Sequence, residues 1–86
     1  MNLNNLTLSE KAEIEKHISN NLESCLDRIS KDIKNVNELD LKIAQIHMDF
    51  YYDHIKKYGS ANLDRYCNLK SKYIKIRHYK LRSLND

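Results

Sequence analysis

Three observations predict an all-α fold. The chain has one glycine and no proline in 86 residues, apolar residues recur at steps of three and four along three successive segments, and capping signatures stand at the segment boundaries. A chain nearly free of Gly and Pro lacks the residues that make hairpins and tight turns, which leaves long helices with short connections. The expected architecture is a three-helix bundle or a long helical hairpin, with helices over about 8–35, 38–58 and 61–84 in one domain spanning residues 1–86. A coiled-coil dimer is the other arrangement that the pattern admits. A chain of this length buries only about 60–65% of the surface its unfolded form exposes, so its core is thin and a partner or a second copy would add to it.

Residues 1–6 form an Asn-rich leader, expected to fray unless Leu3 and Leu6 fold back on the bundle. Thr7 and Glu10 have capping-box spacing, and Glu10, Glu13 and Glu15 put negative charge near the positive end of the helix dipole. From there Ile14, Ile18, Leu22, Cys25, Leu26, Ile29, Ile33 and Val36 form one stripe of an amphipathic first helix.

The boundary at 34–37 admits two readings. Asn37 and Asp40 can cap a new helix. Yet Leu22, Ile29, Val36, Ile43 and Phe50 repeat at intervals of seven straight through it, with Ile18, Cys25, Leu39 and Ile46 in the complementary seam and Asp32 and Asp53 interrupting it. A continuous helix from Ser9 to Tyr58 would run about 75 Å and suggest a coiled coil. A turn near 35–38 gives a compact bundle, and is favoured because the second helix is too apolar for a two-stranded seam.

That second helix carries Leu39, Ile43, Ile46 and Phe50 in one stripe and Leu41, Ala44, Met48, Tyr51 and Ile55 in another, with Glu38, Lys42, Gln45, Asp49 and Lys56 confined to a narrow strip. A helix apolar over two thirds of its circumference is expected to be covered from two sides, at the centre of the bundle. Phe50→Ala would then act as a core truncation costing about 3–5 kcal/mol. Gly59 suits the position after the helix, and Lys56 and Lys57 suit its negative end. Ser60 or Asn62 can cap the third helix. Leu69, Ile76, Tyr73, Tyr66 and Leu84 lie on one flank of it and Leu63, Ile74, Leu81 and Cys67 on another, with Lys70 and Arg77 between them.

Charge is divided along the chain. Residues 1–55 carry six Lys/Arg against ten Asp/Glu, and residues 56–86 carry nine against two, so the net +3 hides a −4 part and a +7 part. The third helix is therefore the strongest functional signal. Arg65, Lys70, Lys72, Lys75, Arg77, Tyr79, Lys80 and Arg82 are the candidate binding residues, with Tyr66, Tyr73 and His78 among them. The primary expectation is a small non-enzymatic interaction module, an adaptor, chaperone-like partner or inhibitor, whose basic, Tyr-rich C-terminal helix engages an acidic protein. The alternative is sequence-tolerant nucleic-acid binding through the same helix, since phosphates want dense positive charge and rings stack on unpaired bases. The bland reading is a solvated basic face. A helix-turn-helix fails on spacing: aligning Gly59 with the turn places Arg65 and Asn68 where the second helix should be apolar.

His47, Tyr51, His54 and Tyr58 recur at four, three and four on the second helix and form a second candidate, a partly wet interface. As a metal site the stripe is poor, because His47 and His54 stand two turns, about 10 Å, apart. His17 and His78 read as surface residues. Cys25 and Cys67 fall on apolar stripes and read as core thiols of a reducing compartment. The sequence shows no Gly-rich phosphate loop, His-Glu-x-x-His, nucleophile elbow or Cys-x-x-Cys, so no enzyme, metal or cofactor is expected. With no secretory signal and no apolar run long enough to span a bilayer, the expectation is a cytoplasmic protein, of a cell or an infected host. The Asn-, Lys- and Ile-rich composition is what AT-rich coding produces, as in phages and low-GC bacteria.

Overall fold

A computed structural model describes residues 6–85, with side chains through Arg82. It is an all-α three-helix bundle: α1 spans Leu8–Lys31, α2 Glu38–Tyr58 and α3 Leu63–Asn85, with a short 3-10 turn at Ile33–Asn35 between the first two. The expectations for Leu3 and for the flank position of Leu84 lie outside the described residues and side chains; Leu6 is half-buried.

Local chemistry sets each boundary. Thr7 accepts from the Glu10 amide at 3.1 Å while the Glu10 carboxylate accepts from the Thr7 amide at 3.0 Å, which satisfies two of the free donors of α1. These bonds hold the Glu10 carboxyl below its ordinary pKa. The helix stops at Lys31, four residues short of the expected end. Asp32 leaves helical geometry at φ −137° and ψ 56°, and its carboxylate accepts both contacts of the Asn35 amide group at 2.8 and 2.9 Å. The Asp32 amide bonds to the Ile29 carbonyl at 3.2 Å, three residues back, which closes the last turn of α1. Asn37 and Asp40 then form a reciprocal capping box for α2. The chain therefore turns, and the continuous 50-residue helix does not form. At the far end Gly59 adopts φ 82°, a conformation that favours glycine, and its amide closes on the Ile55 carbonyl at 2.7 Å. Asn62 caps α3 by accepting from the Arg65 amide at 3.2 Å.

The core is one layer thick. Ile18, Leu22, Cys25, Leu26 and Ile29 of α1 meet Ala44, Met48 and Tyr51 of α2 and Leu69, Tyr73 and Ile76 of α3, with Val36 closing one end. Helix α1 lines both of the others, while α2 and α3 touch each other least. The molecule measures 50 × 24 × 19 Å with a radius of gyration of 14.6 Å, longer than the roughly 12 Å of a spherical domain of this length.

Two expectations are overturned. Helix α2 is covered along one side only. Leu39, Ile46 and Phe50 are 64%, 67% and 63% exposed, and of their stripe only Ile43 packs partly against the core. Three helices give α2 two neighbours, and both lie along its Ala44–Met48–Tyr51 face, so the seven-residue register from Leu22 ends in an outward-facing Phe50. Likewise only one apolar flank of α3 is buried. Leu63, Ile74 and Leu81 are exposed, and so is Cys67, the second thiol expected in the core; Cys25 is buried.

Candidate binding surface

The basic side chains of α3 divide by position. Arg65 turns inward. Its Nε donates to Ser19 Oγ and its terminal nitrogen to Asn20 Oδ1, each at 2.9 Å, and Glu23 lies 3.4 Å away. Lys72 is paired with Asp27. These two residues staple α3 to the acidic outer edge of α1. Both are among the candidate binding residues, and both have partners within the fold. Among the described residues no acid pairs with Lys70, Lys75, Arg77 or Arg82, and all four are exposed; Lys80 is half-buried and Tyr79 is 39% exposed.

The free cations occupy two places. Lys75 and Arg82 stand on the outer side of α3. Lys70 and Arg77 instead rim a groove of about 460 Å³ between α3 and α2, floored by Met48 and Tyr73 and walled by Tyr52, Tyr66 and Ile74, with Gln45 and Asp49 on the α2 edge. Tyr73 Oη donates to Gln45 Oε1 at 2.8 Å across the floor. Beyond that bridge the hollow continues for about 370 Å³ past Leu41 and Lys42 to Glu38, still bordered by Arg77. The slight contact between α2 and α3 is what leaves the groove open. Burial raises the pKa of Tyr66, so its hydroxyl stays protonated.

The His47–Tyr51–His54–Tyr58 stripe is divided, with Tyr51 and His54 buried within the molecule. Tyr51 is fully buried and meets the Tyr66 ring edge-on at 5.1 Å. His54 is buried against Tyr58, with ring centres 5.1 Å apart, and the ammonium groups of Lys11 and Lys57 stand over the Tyr58 ring. His47 and Tyr58 are half-buried. Among the described residues, the Tyr51 hydroxyl and His54 Nε2 are buried without a hydrogen-bond partner. His17 and His78 are exposed, as read.

A third feature has no clear trace in the sequence. Glu15 is only 5% exposed. Its carboxylate accepts from Ser60 Oγ at 2.6 Å and from the Ala61 and Asn62 amides at 2.7 and 3.4 Å. It thereby fastens the α2–α3 connection to α1. Burial pushes its pKa up, but these hydrogen bonds outweigh that and leave it lowered. Burial, and then the Glu15 charge, raise the pKa of Tyr51. Glu15, Ser19, Tyr51, Asn62 and Arg65 border a hollow of about 320 Å³. Glu15 and Arg65 there already serve the junction, so this is a clasp in the fold. Among the described residues no three His, Cys, Asp or Glu side chains are placed to hold a metal ion, and no helix is long and apolar enough to cross a membrane.

The division of the cations has a measurable consequence. Arg65→Ala is expected to cost about 1–2 kcal/mol, through the three contacts it makes to α1. Lys75→Glu with Arg82→Glu should leave the melting temperature within about 2 °C, since exposed unpaired charges contribute little. Thermal denaturation followed by circular dichroism separates the two.

Comparison with family models, with curated proteins and with solved structures finds no match.

Proposed function

We propose that this chain is a small non-enzymatic interaction module that seats an acidic, amphipathic segment of a partner protein in the α2–α3 groove. The observation that carries the reading is the pairing of an apolar floor with a basic rim. Met48, Tyr52, Tyr66 and Ile74 offer rings and methyls to apolar side chains, while Lys70 and Arg77 stand two helical turns, about 10 Å, apart on the same edge. A helix with apolar residues at i, i+3, i+4 and i+7 and acids beside them complements both features. Tyrosine and arginine at a half-open site are also the side chains that carry most binding energy at protein interfaces.

The second reading, nucleic-acid binding, draws support from Lys75 and Arg82, free cations on the outer side of α3 near Tyr79. Against it, Tyr66 and Tyr73 are occupied in packing. Few rings remain on which bases could stack.

Fluorescence anisotropy with two probes tests the reading: a synthetic amphipathic helix with a leucine face flanked by glutamates, and a mixed-sequence oligonucleotide of equal charge. The peptide should bind the wild-type chain, and Lys70→Glu with Arg77→Glu should weaken that binding at least ten-fold without altering the helical spectrum. Tight oligonucleotide binding with a steep salt dependence, and none of the peptide, would transfer the function to the second reading.

A further inference from the structure

Three of the four residues of the outer stripe of α2 take no part in the groove or the core. Leu39, Ile46 and Phe50 are each about two-thirds exposed, with Ile43 half-buried between them. Large apolar side chains aligned on one helix face are covered in most folded proteins, because burial is favourable in proportion to apolar area. Their spacing of four, three and four is that of a helix–helix seam.

We propose that this stripe is covered by the same stripe of a second copy of the chain, in a two-fold antiparallel pair of α2 helices. The stripe is complementary to itself when reversed. Leu39 of one copy faces Phe50 of the other, Ile43 faces Ile46, and the two-fold repeats both layers, so four layers fill over about 17 Å of helix. Small meets large in the outer layers, which suits knobs-into-holes packing.

Charge selects the direction. Lys42 and Asp49 flank the seam on one edge, and both are exposed. Antiparallel pairing brings Lys42 of each copy alongside Asp49 of the other, giving two cross-copy ion pairs. Asp49 already accepts from Gln45 through Oδ1, which leaves its second oxygen for the lysine. Parallel pairing would lose both ion pairs, because Lys42 and Asp49 would face neutral or like positions. It would also set Asp53 against Asp53 in the seam, a like-charge contact without water around it. The apolar layers of the pairing use the outer stripe alone, while Lys42 and Asp49 also border the groove.

Sedimentation equilibrium on the full chain from micromolar to millimolar concentration tests the proposal. The wild-type chain should approach twice its 10.3 kDa mass. Ile46→Glu should weaken association about 100-fold or more, with an unchanged helical spectrum because position 46 is exposed in the monomer. Lys42→Asp should weaken it about ten-fold, and adding Asp49→Lys should restore it to within about two-fold, since reversal at both positions recreates each pair. The charge variants touch only exposed groups, so they read the interface even where Ile46→Glu perturbs folding. A wild-type monomer at millimolar concentration would overturn the proposal. So would an Ile46→Glu dimer of full strength, or a double reversal no tighter than Lys42→Asp alone.

Discussion

Leu22→Ala is expected to destabilise the bundle by about 3–5 kcal/mol, while Phe50→Ala, measured at a concentration where the chain is monomeric, costs less than about 1 kcal/mol. Leu22 is fully buried in the middle of α1, within the single layer of side chains that α1 shares with α2 and α3. A core one layer thick has no second shell to close over a lost isobutyl group, so the cavity term adds to the lost transfer energy. A domain this small has about 5–10 kcal/mol in total, which makes the first substitution a loss of much of its stability. Phe50 points the other way, 63% exposed, and its ring has little packing to lose within one chain. Urea denaturation of both variants checks the contrast. Equal losses would mean that α2 is covered on its outer side within a single chain.

Glu15→Ala is expected to cost about 2–4 kcal/mol and to lower the melting temperature by about 10–25 °C. The carboxylate is the acceptor for the Ser60 hydroxyl and for the Ala61 and Asn62 amides. Bonds to a charged acceptor are worth more than neutral ones, and donors left unmet at a buried junction carry a desolvation cost. Loss of the clasp also frees the connection that delivers Arg65 to Ser19 and Asn20. The effect depends on pH with a definite sign. The folded-state pKa of Glu15 lies below its ordinary 4.5. Its contribution is therefore complete above that value and is lost as pH falls through the folded pKa. The gap in urea midpoint between wild type and Glu15→Ala should be widest near neutrality and should narrow below about pH 4. A gap that stays constant or widens on acidification would show that the carboxylate's charge is not what holds the junction.

The fold was legible because local chemistry decided it. The capping boxes at Thr7–Glu10 and Asn37–Asp40, the glycine at 59 and the Asn62 cap all act within four residues, and sequence shows such relations directly. The end of α1 was missed by four residues, because Asp32 read as an interruption of a stripe when it is the helix stop. Which apolar face is buried was not legible. Leu39, Ile46 and Phe50 have the same residue types and spacing as the buried set, and only the arrangement of three helices decides that α2 is packed on one side. The basic helix was visible as composition, and the place of Lys70 and Arg77 between its apolar flanks was visible too, but the contacts of Arg65 and Lys72 to α1 were not. Whether Arg65 points at Ser19 or at solvent depends on the crossing of α3 over α1, which periodicity does not encode. Glu15 was read as a dipole acid because its three donors lie 45 or more positions away. The groove residues Gln45 and Tyr52 gave no signal for the same reason, since the site exists only where two helices diverge.

The most direct test of the groove as a binding site is a chemical-shift map of the isotope-labelled chain titrated with the acidic amphipathic peptide. The account predicts that perturbations concentrate at Gln45, Met48, Asp49, Tyr52, Lys70, Ile74 and Arg77, the residues that line the space between α2 and α3. The amides around Lys75 and Arg82 should remain in place. Perturbations confined to Asn68, Lys75 and Arg82 on the outer side of α3, or none at saturating peptide, would contradict it.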